Sequence, residues 1–202
     1  NISTKTKIGY LNIKDINILE LFWKLNVIPY NSREDGIIKK QIKISIPLSE
    51  RDEFNKNAQE YKSDSIVTIT NKRELNNKYI CKLNIGLSKK DLLNRPKNKG
   101  AFYNCFMIII RIKYKGYFRE INAKVFNTGK LSFPGMITDE LLVLTTNTLL
   151  NILNRVHNYK GVCIRDKSVH TVLVNSNFNC GFYIDRDKLA DILKSKYNIH
   201  VY

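Results

Sequence analysis

The stretch that most constrains this chain is FMIIIRIKYKGYFREINAKVFNTGKLSFPG, residues 106–135. Three β-rich runs are separated by two short polar breaks, Lys115-Gly116 and Asn127-Thr128-Gly129. Glycine reaches the positive φ that tight turns need, so such breaks between β-branched and aromatic runs predict hairpins. The segment therefore predicts a three-stranded antiparallel meander, and after Pro134-Gly135 the pattern changes to a long helix. Side chains alternate across a strand. Asn122, Lys124 and Phe126 then share one face, and Ile121, Ala123 and Val125 share the other. In the preceding strand Cys105, Met107, Ile109 and Arg111 lie opposite Phe106, Ile108 and Ile110. The small apolar set suits a helix packed behind the sheet. The Asn, Lys and Phe set is unusual for a core face and suits a nucleic-acid surface. Phe126, at a strand end beside a turn, is either an edge hydrophobe or a wedge that inserts between base steps.

The rest of the chain reads as mixed strands and helices. Residues 1–11 alternate loosely as a strand. Residues 12–15 supply a turn and a helix cap, followed by Ile16, Leu19, Phe22 and Trp23 at helical spacing. Residues 37–46 alternate as an exposed strand, 51–62 form a charged helix or loop, and 66–70 and 78–85 read as strands. Residues 89–100, KKDLLNRPKNKG, are basic and turn-rich: a solvated loop or a phosphate-contacting arm. Thr138-Asp139-Glu140 opens a helix with a capping residue and two acids at its positive end. Leu141, Leu142, Leu149, Ile152, Leu153 and Val156 give that helix an apolar face. A polar linker, 157–167, leads to a strand at 168–180 and a helix at 184–196.

With 202 residues, 43% hydrophobic and 26% charged, the chain can bury one sizeable core or two small ones. The 34 Lys and Arg against 18 Asp and Glu give a net charge of +16. A bias toward Asn, Ile, Lys and Tyr accounts for Lys over Arg but not for the shortage of acids, so the charge points to a polyanionic partner. Cys81, Cys105, Cys163 and Cys180 are widely spaced, with no zinc or redox spacing, and His157, His170 and His200 do not cluster with them. Free thiols in a reducing compartment are expected. No apolar run reaches transmembrane length, and no membrane partner is expected. No Gly-rich phosphate loop, HExxH or GxSxG is present. Asp185 and Asp187 open a helix and read as cap and dipole residues. A binding protein is expected, with no catalytic residues, metal or cofactor.

Strand-turn-helix occurs at the start and again near the end. Ile2, Thr4, Leu11 and Asn12 match Val169, Thr171, Phe178 and Asn179 at one offset, which suggests a repeat. The order strand, helix, meander, helix, then strand and helix resembles the saddle of the TATA-binding proteins. It looks most like the divergent members in large nucleocytoplasmic DNA viruses. Residues 1–9 look like the family's first strand, NIVSTVNLG. Residues 125–130, VFNTGK, followed by Gly135, look like its IFSSGK…TG hairpin. Residues 179–189, NCGFYIDRDKL, look like the opening of its second repeat, DVKFPIRLEGL.

The resemblance implies an α+β saddle, a curved antiparallel sheet backed by helices, built from two pseudo-repeats with the second truncated. Residues 1–157 would form the first repeat with a large insertion at about 30–100, residues 158–167 a linker, and residues 168–202 the start of the second. It implies binding and bending of AT-rich double-stranded DNA through the minor groove. It also implies recruitment of a factor-IIB-like protein and viral RNA polymerase, in a virus factory, nucleus or virion. By position, Phe126 matches a kinking Phe and Asn1 a groove-reading Asn. Asn122, Lys124, Thr128, Ser132 and Pro134 match DNA-facing positions, and Arg111 a phosphate-contacting one.

The chain departs from the pattern in several places. The partner Phe aligns with Cys105, or by slippage with Phe102 or Phe106. Lys124 replaces an apolar residue and Pro134 a Thr. The second-repeat Asn has Asn175 and Asn177 as nearby substitutes. Less wedge and more charge imply weaker TATA preference and steeper salt dependence. The same fold could instead be a protein-interaction module, which Cys105 and Lys124 in the groove favour and the net charge opposes. A nuclease or glycosylase accessory domain is a third reading.

Overall fold

A computed structural model describes residues 2–94, 102–177 and 179–200. Asn1, Phe178 and the 95–100 part of the basic loop lie outside the described residues. The elements are β1 (Ile2–Tyr10), α1 (Ile18–Lys24), β2 (Gly36–Pro47), α2 (Arg51–Glu60), β3 (Val67–Leu75), β4 (Lys78–Gly86), α3 (Lys89–Leu92), β5 (Cys105–Tyr114), β6 (Tyr117–Phe126), β7 (Lys130–Met136), α4 (Asp139–Asn154), β8 (His170–Ser176) and α5 (Arg186–Tyr197).

All eight strands join one curved, open antiparallel sheet in the order β3-β4-β2-β5-β6-β7-β1-β8. The meander is its middle. At the β5–β6 turn Lys115 and Gly116 both take positive φ, 50° and 83°, which matches the right-handed strand twist of a two-residue hairpin. Asn76 and Asn77 do the same between β3 and β4, at 50° and 59°. Gly129 has a second reason to be glycine. Its φ is +77°, and a Cβ there would lie 2.1 Å from the Ile13 carbonyl oxygen.

α1 and α4 pack on one face of the sheet. The core between them holds Leu21, Phe22, Phe106, Ile108, Val125, Leu131, Phe133, Leu141 and Leu149. Thr138 caps α4 by accepting from the Leu141 amide, as its sequence predicts. α1 starts later than expected, capped by Asn17. The chain before it is tied to the β6–β7 turn, because Leu11 donates to Gly129 O and Ile16 to Asn127 O. Those amides are committed to the turn and are not available to start a helix.

The expectation of an exposed strand at 37–46 is corrected. β2 lies between β4 and β5, so both its edges are paired. Its apolar alternation turns Ile42, Ile44 and Ile46 toward the core, and with them Lys40, which is 0% exposed. Lys40 Nζ donates to Phe22 O and Leu25 O at 2.7 Å each and lies 4.7 Å and 4.2 Å from the Phe22 and Tyr61 ring centres. It caps the α1 C-terminus, whose last carbonyls have no partner within the helix.

Residues 48–86 extend the structure beyond β2. α2 covers α1 through Trp23, which meets Phe54 edge-on at 5.4 Å and stacks on Tyr61 at 5.9 Å. β3 and β4 continue the sheet past β2. At the other end β8 pairs antiparallel with β1, and α5 follows with Asp185 as its cap.

Candidate nucleic-acid interface

Helices cover one face of the sheet, and the register fixes what stands on the other. Lys124 pairs with Met107 on one side and Ser132 on the other. Met107 pairs with Gln41, Ser132 with Ile8, and Ile8 with His170. One row of side chains, Gln41–Met107–Lys124–Ser132–Ile8–His170, therefore crosses six strands. Beside it Asn122 pairs with Ile109, and Phe126 with Cys105. Ile8, Ile109 and Cys105 are buried without joining the core behind the sheet. They form an apolar floor beneath taller polar neighbours.

Two lysines stand against aromatic rings on this face. Lys124 Nζ is 5.4 Å from the Phe102 ring centre, and Lys130 Nζ is 5.5 Å from that of Phe126. Both separations are within cation–π range. Burial pushes the Cys105 thiol up from its ordinary pKa, and the Lys124 charge only partly offsets this. Cys105 is thus an uncharged, weakly nucleophilic group beside the lysine. The helix side has the opposite character. An open cleft of about 250 Å³ between α1 and α2 is lined by Glu20, Glu50 and Glu53 along with apolar residues. The open face suits an anion better than that cleft does.

Asn122, Lys124, Phe126, Ser132 and Pro134 lie together on the open side of β6 and β7, all partly exposed. Thr128 is exposed in the β6–β7 turn. Asn175 pairs with Thr4 on β8, and exposed Asn177 follows that strand. Asn1, the expected groove reader, lies outside the described residues.

Two expectations are corrected. Phe106 is 1% exposed and packs edge-on against Phe22 at 6.0 Å in the core, so of the two alternatives only Phe102, 62% exposed, is on the surface. Alternation decides this, since Phe106 pairs with Ile42 and Val125 on the helix face. Arg111 is 6% exposed, and its guanidinium donates to Tyr30 O and Glu34 O. It anchors the loop before β2 and does not present its charge to a phosphate. Sequence reasoning also passed over Lys130, Ile8 and His170. Alternation carried from β7 into β1 and β8 would have found them, but it needed the strand order.

No protein-family model matches the chain, and no curated protein or solved structure matches it. Among the described residues, no group of three His, Cys, Asp or Glu is placed to hold a metal ion. Among them, no helix is long and apolar enough to cross a membrane. All four cysteines are free thiols.

Proposed function

We propose that the chain is a TATA-binding-protein-like initiation factor that binds and bends AT-rich duplex DNA with the open face of its sheet. The observation that carries this reading is the facing of β6. Asn122, Lys124 and Phe126 stand on the uncovered side, while Ile121, Ala123 and Val125 are buried behind it. A minor groove offers acceptors and a hydrophobic wall, and an Asn donor, a flanking lysine and an apolar wedge are the groups that engage it. The strand order supports the same reading. β1 sits at the junction of the meander and β8, so the start of one strand-helix unit pairs with the start of the next. The net charge of +16 adds a phosphate-seeking field. Recruitment of a factor-IIB-like protein and a viral RNA polymerase belongs to the same proposal.

One observation favours a protein-binding use of this face instead. Cys105, buried and small, stands opposite Phe126 where a second wedge would be expected. Phe102, held under Lys124, is the available substitute.

A bend-sensitive FRET titration of AT-rich and GC-rich duplexes separates the two readings. The DNA reading expects AT-preferring bending that Phe126→Ala loses, with log affinity falling steeply with log salt. Equal, unbent binding of both duplexes by both proteins would overturn it.

A further inference from the structure

The end of the sheet at β8 shows apolar groups that the fold does not cover. β8 is the outermost strand there among the described residues, and Val172, Leu173 and Val174 are each about half exposed, so both of its faces are apolar in part. About half of the large hydrophobic side chains exposed among the described residues lie between Val169 and Ile199. α5, joined to β8 by residues 177–185, has 12 residues and buries none of them. An isolated helix of that length is marginal in water, and most helices are held by packing an apolar face. α5 has such a face, and part of it is turned outward. Leu189 is 39% and Ile192 44% exposed, whereas Ala190 and Leu193 are less so. Asp185, Leu189, Ile192 and Lys196 follow one another at steps of four, three and four residues, which keeps side chains on one side of a helix.

That stripe is its own complement. Its first residue is acidic, its last is basic, and the two between are apolar. A half-turn about its midpoint exchanges Asp185 with Lys196 and Leu189 with Ile192. Two copies packed antiparallel therefore set Leu189 of one against Ile192 of the other, and each Asp185 against the opposing Lys196. Neither charge is strongly engaged within the chain. Lys196 forms no ion pair among the described residues. The Asp185 carboxylate accepts from the Lys188 amide and has an exposed 3.7 Å contact with the Lys188 amine. Net charge favours the same place. Residues 168–202 hold four Lys and Arg against three Asp, so they carry +1 of the chain's +16. Two copies of so basic a chain repel each other, and this end is nearly free of that repulsion. We propose that the β8–α5 end is a self-association surface, on which α5 packs antiparallel against α5 of a second copy about a two-fold axis. Such an interface is isologous, so one pair of contacts occurs twice. Its small size makes it weak and reversible. The stripe lies outside the candidate DNA surface, so this inference stands apart from the initiation-factor reading.

The test is sedimentation velocity of the full chain from roughly 1 to 300 µM, the range of weak association. Wild type should pass from monomer to dimer. Ile192→Lys puts a charge into the middle of the stripe of each copy and should leave a monomer throughout. Ile192 is 44% exposed, so the fold should survive, and an unchanged urea midpoint checks this. Lys196→Glu sets a like charge against each Asp185 and should weaken the dimer about fivefold or more at low salt. Adding Asp185→Asn, which keeps a capping side chain, should recover part of that loss. A merely structural role for Lys196 would not be rescued in this way. The α5 amides should exchange rapidly in the dilute monomer and more slowly as concentration rises. A wild type that stays monomeric over the whole range would overturn the proposal, and so would a dimer that Ile192→Lys leaves intact. A Lys196→Glu defect that Asp185→Asn fails to relieve would overturn the antiparallel pairing.

Discussion

Lys40 is the residue where chemistry and packing are most tightly bound. Burial lowers its pKa from 10.5 to about 7, and its amine caps two carbonyls of α1. A base whose pKa falls on folding takes up protons on unfolding, so the folded state gains stability as pH rises from about 7 toward 10.5. Below that window the cost of the buried charge is fully present. Lys40→Met leaves the Phe22 and Leu25 carbonyls unsatisfied, at a cost of roughly 1–3 kcal/mol. Urea unfolding at pH 6.5, 7.5 and 9 should show wild type gaining on the Met variant as pH rises. A constant difference between the two proteins would contradict this account. The sequence showed Lys40 only as one lysine in an alternating, apparently exposed strand. Its burial depends on α1 and Tyr61 closing over β2, and no local pattern encodes that.

At the scale of elements, the turns test how much one glycine carries. Gly116 and Gly129 both have positive φ, but a Cβ at Gly116 meets nothing within 4 Å, whereas at Gly129 it strikes Ile13 O. Gly116→Ala should cost about 1–2 kcal/mol, the left-handed penalty alone. Gly129→Ala should cost clearly more, because the strands or the 11–16 segment must shift. Urea midpoints of the two variants measure the gap, and equal midpoints would mean that the Ile13 contact gives way freely. The meander itself was legible because its turn chemistry and its alternation agree. The start of α1 was not, because the Leu11 and Ile16 amides are drawn off by a turn more than a hundred residues away. The docking of α2 has a built-in reporter, since Trp23 is the one tryptophan in the chain. Phe54→Ala removes a buried ring that Trp23 packs against and should cost about 3–5 kcal/mol. Trp23 emission should shift to the red as water enters, and an unmoved spectrum would show that α2 does not seal that site.

Across the whole molecule, stability is uneven. β5 and β6 are lined by buried residues, whereas every residue of β8 is exposed and α5 buries none. Regions with few buried apolar contacts open at low free energy. Native-state hydrogen exchange should therefore find β8 and α5 amides exchanging orders of magnitude faster than those of β5 and β6. Comparable protection would mean that the β1–β8 pairing is tighter than its burial implies. The candidate site was half legible at this scale. Phe126, Lys124 and Asn122 followed from alternation within one strand. Arg111 obeyed the same alternation, yet the 30–34 loop folds over it and takes its guanidinium.

The β3–β4 hairpin covers what would otherwise be an edge of the sheet. Without β3 and β4, the outermost strand would be β2, twelve residues long, with Ile42, Ile44 and Ile46 along one face. A long, regular, apolar margin of that kind recruits further chains. β3 presents a poorer template, because its ladder is irregular between Thr70 and Arg73, Asn71 turns to φ 54°, and Lys72, Arg73 and Glu74 crowd the break. On that side the sheet therefore ends on a strand less suited than β2 to pairing with another chain.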